Sequence, residues 1–220
     1  AAGPEATHGS PPPLRPYQRA ALDAVEAAGP ANCCVVLPCG AGKTKLGAAV
    51  TCSFLEAKPN GCVVVLCMRR EGARQWAREL AESWHTNALE FSKSNIHPEA
   101  LRSSRVVLVT YHRMLSDQRR ALVGLARGVG VSWEQDGVGE SGAVDAEAGG
   151  PVAARFLAAP EGLLIADECH MVPAPRIGGL LKALLAPPRR RLIGLTATLL
   201  REGTDGQVAS AGAARRGGPW

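Results

Sequence analysis

Apolar runs of strand length recur along the chain, separated by stretches with helical periodicity. Cys33-Cys34-Val35-Val36-Leu37, Val63-Val64-Val65-Leu66-Cys67-Met68, the run 105–110, Gly162-Leu163-Leu164-Ile165-Ala166 and Leu192-Ile193-Gly194-Leu195 are apolar nearly throughout. A strand covered on both faces reads this way, whereas a half-exposed strand alternates. Between these runs lie helical patterns. One opens at Pro16, sets Tyr17, Ala21, Leu22 and Val25 on a face, and closes at Gly29-Pro30. Others span 45–55, 72–84 (with Trp76, Leu80 and Trp84 as its apolar side) and, after a short turn, the end of 172–186. Strands alternating with helices predict an α/β protein with a parallel sheet and helices on both faces.

Composition narrows the class. The 220 residues are 46% hydrophobic and 4% aromatic, enough apolar material for one domain with a full core. No run of 18 apolar residues exists, so no transmembrane helix and no membrane role are expected. Residues 1–13 lack the basic and apolar blocks of a secretory signal and read as a disordered lead. The domain then runs over 14–202, and the Gly/Ala/Arg stretch 203–220 reads as a disordered tail. Net charge is +5, unevenly placed. Glu134, Asp136, Glu140, Asp145 and Glu147 crowd 133–151, a glycine-rich stretch that reads as a flexible acidic insertion. The rest carries about +10, which suits a polyanionic partner or simple solubility. Seven cysteines without a C-x-x-C pair read as free thiols in a reducing compartment, and no zinc site is expected.

Candidate chemistry sits where strands end. Pro38-Cys39-Gly40-Ala41-Gly42-Lys43-Thr44 follows the first strand and opens a helix, the setting of a phosphate-binding loop. Small residues let backbone N–H groups close around a polyphosphate, and the helix N-terminus adds partial positive charge. Lys43 would reach the outer phosphates of ATP and Thr44 would ligate Mg²⁺. The full pattern wants glycine where this chain has Leu37. Asp167, Glu168 and His170 end another strand at what would be the ligand-facing edge. Asp167 would hold Mg²⁺ and Glu168 would polarise the attacking water, or the pair is a solvated acidic turn. Gln18 offers an amide donor and acceptor for adenine, or is a surface glutamine. Gln75 and Arg69 fall at the top of the sheet. Thr110 and Arg113 suit phosphate-backbone contacts, with Thr110 alternatively a helix N-cap. Arg189-Arg190-Arg191 reads as a solvated loop.

The order of these motifs resembles the first RecA-like domain of superfamily 2 helicases, and within them the XPB family of DNA translocases. The resemblance rests on Arg15-Pro16-Tyr17-Gln18, Pro38 to Thr44, Gln75-Trp76, Val109-Thr110-Tyr111, Asp167-Glu168-Cys169-His170 and Leu195-Thr196-Ala197-Thr198-Leu199-Leu200-Arg201-Glu202. It implies a P-loop NTPase with ATP and Mg²⁺ as cofactors. Arg15, Tyr17 and Gln18 would join the loop in binding nucleotide, and Lys43, Asp167, Glu168 and His170 would serve hydrolysis. Thr196, Ala197 and Thr198 would couple hydrolysis to motion, while Thr110, Arg201 and Glu202 would meet DNA. The resemblance also implies subunits of a transcription and repair complex as partners, and a nuclear location. A second RecA-like domain, absent from this chain, would be needed in cis or in trans for efficient turnover. The charged triplet of the family reads Arg201-Glu202-Gly203 here, so a carboxylate tied to DNA opening is missing. The Asp-Glu-Cys-His box and Thr196 disfavour a DEAD-box RNA helicase. A restriction or repair translocase and a non-catalytic nucleotide-binding paralogue are the remaining alternatives.

Overall fold

The computed structural model describes residues 12–91, 98–115, 151–171 and 174–197. The lead up to residue 11, nearly all of the insertion, Thr198, Arg201, Glu202 and the tail 203–220 lie outside the described residues.

The strands are β1 (Cys33–Val36), β2 (Cys62–Cys67), β3 (Leu89–Glu90), β4 (Val106–Thr110), β5 (Gly162–Asp167) and β6 (Arg190–Thr196). They form one sheet in the order β1-β6-β5-β2-β4-β3, and every pairing is parallel. All strands therefore point their carboxyl ends at one edge. The register puts Val36 beside Thr196, Asp167 beside Leu195, and Cys67 beside Thr110. The phosphate loop leaves β1 and the acidic box leaves β5, so β6 stands between them.

Two cores explain the unbroken apolar runs. On one face, α1 (Pro16–Ala27), α2 (Lys43–Ala57) and α3 (Arg70–Arg78) cover Val63, Val65, Leu108, Leu163, Ile165, Ile193 and Leu195. On the other, α4 (Pro98–Ser103), α5 (Pro151–Ala158) and α6 (Ala174–Leu185) cover Val64, Leu66, Val107, Val109 and Leu164. Successive residues of β2 and β4 thus alternate between two apolar layers, as a sheet buried on both faces requires. After α3 the helix widens into a π-helical segment over Glu79–Ser83, ending near the expected Trp84.

Two readings change. The buried face of α1 is Gln18, Leu22 and Val25, while Tyr17 is 40% exposed. Positions 18, 22 and 25 follow the helical period, with the glutamine and not the tyrosine turned inward. Arg190 and Arg191 belong to β6 and are engaged with backbone, not solvated. Arg190 donates to Leu157 O at 3.0 Å and to Ala159 O, past the end of α5. Arg191 donates to Val25 O at 2.5 Å and to Ala31 O at 2.9 Å, at the end of α1. Guanidinium groups there satisfy carbonyls that a helix terminus leaves unpaired.

Candidate nucleotide and metal site

The loop between β1 and α2 is shaped by two left-handed glycines, Gly40 at φ 75° and Gly42 at φ 78°. A Cβ on Gly40 would meet nothing within 4 Å, so space lies open over the loop. A Cβ on Gly42 would come 2.4 Å from Gln18 Nε2, so this glycine also admits a close approach from α1. Leu37, where the general pattern has glycine, does not turn. Its N–H continues the ladder to Thr196 O at 2.9 Å and its side chain packs on the core. The turn begins one residue later at Pro38, with Ala41 N–H closing on Pro38 O at 3.1 Å.

Gln18, only 2% exposed, braces this loop from below. Its Nε2 donates to Ala41 O at 2.9 Å and Gly42 O at 3.3 Å, and its Oε1 accepts Arg15 N–H at 2.9 Å. Tyr17 adds a hydroxyl donated to Ala41 O at 3.0 Å, and Arg15 Nη1 reaches that hydroxyl at 3.1 Å. The arm Arg15-Tyr17-Gln18 is therefore wired into the loop, leaving the exposed face of Tyr17 at its rim.

Across β6, the acidic box is held from several directions. Lys43 Nζ lies 3.3 Å from Glu168 Oε1, with the lysine side chain only 10% exposed. Glu168 Oε2 lies 3.4 Å from His170 Nδ1, which in turn lies 2.7 Å from Thr196 Oγ1. Thr196 is buried at the end of β6, so one chain of contacts joins three strand ends. Glu168 sits at φ 51°, an uncommon backbone state for a non-glycine residue, placed at the turn that redirects the chain after β5. Asp167 accepts from Trp76 Nε1 at Oδ2, 2.9 Å, while its backbone carbonyl accepts the Tyr111 hydroxyl at 3.0 Å. Burial pushes the Asp167 carboxyl above its ordinary range, opposed by the Trp76 hydrogen bond. Tyr111 is pushed up by burial as well and stays a donor.

Cys169, between Glu168 and His170, meets Cys34 of β1 at 3.8 Å between sulfurs. They meet over Gly194, whose missing Cβ would stand 3.0 Å from Cys169 Sγ and 3.4 Å from Cys34 Sγ. Their contact lowers the Cys34 thiol and raises that of Cys169.

Thr44, on the first turn of α2, has Gln75 Nε2 at 3.5 Å. A hydroxyl and a carboxylate are hard oxygen donors of the kind Mg²⁺ takes, and a desolvated carboxylate beside an open phosphate loop fits such a cation. Thr110 stands apart at the end of β4. Its Oγ1 accepts Arg113 N–H at 3.3 Å, the capping contact offered above as its alternative role. Ala197 follows Thr196 and is half-buried. The Trp76 and Tyr111 bonds to Asp167 were not foreseen. The available signal was chemical: a buried indole or phenol must find a partner for its polar atom.

A parallel sheet with helices on both faces, a glycine-turned loop after one strand and a carboxylate pair two strands away define a RecA-like P-loop domain. The chain belongs to the family described as "Type III restriction enzyme, res subunit", which it matches over residues 12–201. It is 32% identical over 211 residues to "DNA 3'-5' helicase XPB" of Kineococcus radiotolerans, covering 94% of this chain and 30% of that protein. It is 28% identical over 195 residues to "General transcription and DNA repair factor IIH helicase/translocase subunit XPB/SSL2" of Saccharomyces cerevisiae, covering 86% and 19%. Among solved structures, the SWI2/SNF2 ATPase core of Sulfolobus solfataricus in complex with dsDNA superposes with a TM-score of 0.53 at 18% identity, over 86% of this chain and 32% of that one. That likeness is one of fold. The chain thus spans less than a third of the length of these curated relatives.

Proposed function

We propose that this chain is the ATP-binding half of an XPB-like motor that works on double-stranded DNA. The observation that carries the proposal is the contact chain Lys43–Glu168–His170–Thr196, which ties the phosphate loop to the acidic box through β6. The loop Pro38-Cys39-Gly40-Ala41-Gly42 cradles the phosphates, and Lys43 exchanges its Glu168 partner for a phosphate oxygen when nucleotide arrives. That exchange frees one Glu168 oxygen to take a proton from the attacking water. Thr44 and Asp167 would hold Mg²⁺, which would supply neutralisation of phosphate charge. His170 senses the state of Glu168 and passes it to Thr196, with Ala197 and Thr198 next along the chain in the coupling role. Both amide ends of Gln18 are spent on protein groups, so reading adenine through them requires exchanging those bonds; stacking on Tyr17 requires none.

DNA is met at the ends of β2 and β4, where exposed Arg69 follows the paired Cys67 and Thr110; Arg201 and Glu202, outside the described residues, are assigned to the same partner. Full turnover draws on a second RecA-like domain, in cis or in trans, whose arginines would be worth about 10³–10⁵ in rate. Transcription and repair subunits are partners by the names of eukaryotic relatives. A nuclear address follows the eukaryotic relatives only, because a bacterial relative matches as well.

The test is ATP turnover by the purified chain with and without duplex DNA, beside Lys43→Ala and Glu168→Gln. Turnover that rises with DNA and is lost in both variants supports the motor. Nucleotide binding lost only in Lys43→Ala, with no turnover anywhere, identifies half a motor. Absence of nucleotide binding ends the proposal.

A further inference from the structure

Two consecutive residues of α3 approach the two side chains assigned to the metal. Gln75 Nε2 lies 3.5 Å from Thr44 Oγ1, and Trp76 Nε1 lies 2.9 Å from Asp167 Oδ2. Thr44 and Asp167 sit on different elements, α2 and β5, so something must fix their separation. The Trp76 ring is placed to do so. It is 1% exposed, and a Cβ on Gly47 of α2 would come 2.2 Å from its Cη2. Gly47 lies one helical turn beyond Thr44, on the helix that begins at Lys43. The indole therefore bears on the helix carrying Thr44 at its far edge and on Asp167 at its N–H. It acts as a spacer of fixed width between the two ligands.

We propose that Gln75 and Trp76 are positioning residues for the metal ion, setting the distance and orientation of Thr44 and Asp167 before nucleotide arrives. This rests on the reading of the site given above. Groups that hydrogen-bond a metal's ligands fix their orientation, and losing one weakens metal affinity by about 10–100-fold in known sites. Both residues act through Thr44 and Asp167, the side chains they bond. Their effect falls on the metal-dependent part of binding alone. The bond from Trp76 fixes the Asp167 carboxylate at Oδ2. The weaker approach of Gln75, on the exposed side of α3, orients the Thr44 hydroxyl without burying it.

The experiment is a titration of the full chain with a fluorescent ADP analogue, with Mg²⁺ and with EDTA, for wild type, Trp76→Phe and Gln75→Leu. The ratio of the two dissociation constants is the metal increment. Trp76→Phe is expected to keep metal-free affinity within about twofold and to lose about tenfold of the increment; Gln75→Leu loses about threefold. Gln75 is exposed, so its variant folds even if Trp76→Phe does not, and circular dichroism checks both. Variants that retain the wild-type increment overturn the positioning role while leaving the nucleotide site standing. A wild type that binds the analogue equally with and without Mg²⁺ overturns the metal assignment, and the positioning role with it.

Discussion

The carboxyl edge of this one sheet has two halves of opposite character. On the side of β1, β6 and β5, polar groups are spent on each other: Lys43 on Glu168, His170 on Thr196, Gln18 on the loop carbonyls, Trp76 on Asp167. On the side of β2 and β4, Met68 and Arg69 are exposed and Thr110 serves a local cap. The first half is preorganised, as a small rigid ligand with chemistry to be done on it requires. The second is open, which suits the DNA contact proposed above, where charge matters more than exact geometry. One scaffold supports both because every strand end faces the same way, while neighbouring loops differ.

The contrast is testable, starting with the change that should hurt the wired half most. Lys43→Ala removes the charge at the loop and should weaken ATP binding by about 100-fold, the worth of charge-assisted hydrogen bonds to phosphate, as read by calorimetry. Survival of most of the affinity would mean that the loop backbone alone carries binding. Next come the two glycines. Gly42→Ala combines a left-handed backbone with a collision at Gln18 and should lose about 2–3 kcal/mol in denaturant melts. Gly40→Ala, with open space around it, should lose only the backbone cost of about 1–2 kcal/mol. Equal losses would mean that Gln18 yields easily and braces nothing.

Asp167 gives a prediction with a pH sign. Burial raises its folded pKa, so its contribution to stability is favourable in acid and is lost as pH rises through that value. Asp167→Asn removes a buried charge and should raise the melting temperature of the nucleotide-free chain by about 2–4 °C near neutrality. The gain should shrink as pH falls into the carboxylate range. A midpoint that drops at neutral pH would mean that Lys43 and Trp76 more than offset the desolvation. The smallest effect belongs to the open half. Arg69→Ala should leave nucleotide affinity unchanged and lower the salt dependence of DNA binding by about one unit of slope. A change in nucleotide affinity there would erase the distinction between the halves.

Much of this was legible in sequence because burial on both faces writes itself as continuous apolar runs, and glycine before Lys43-Thr44 has few other uses. The strands at 63–68, 105–110 and 162–166 appear within a residue or two of those positions. What escaped has physical reasons. The two-residue β3 is too short to show a period. Gln18 is polar, so hydropathy cannot place it in a core, although three hydrogen bonds repay its burial. Arg190 and Arg191 look like solvent-facing charges until the carbonyls they serve arrive from α5 and α1. The partners of Trp76 and Cys34 are 91 and 135 residues away, a distance no local pattern spans.

The strand order also constrains how the chain is made. β1, which leads into the phosphate loop, pairs with β6 alone among the described strands, and Asn32 holds Leu192 N–H across 160 residues. During synthesis the earliest of the described strands therefore waits for the latest. A ribosome must deliver nearly the whole domain before that hydrogen-bonded edge can close. A message cut short before the codon for Arg190 would release a chain whose β2–β4 pair can form but whose β1 lacks its neighbour among the described strands. Such a product would be a client for chaperones or proteases, and the capacity to hold nucleotide would serve as a proof that translation reached β6.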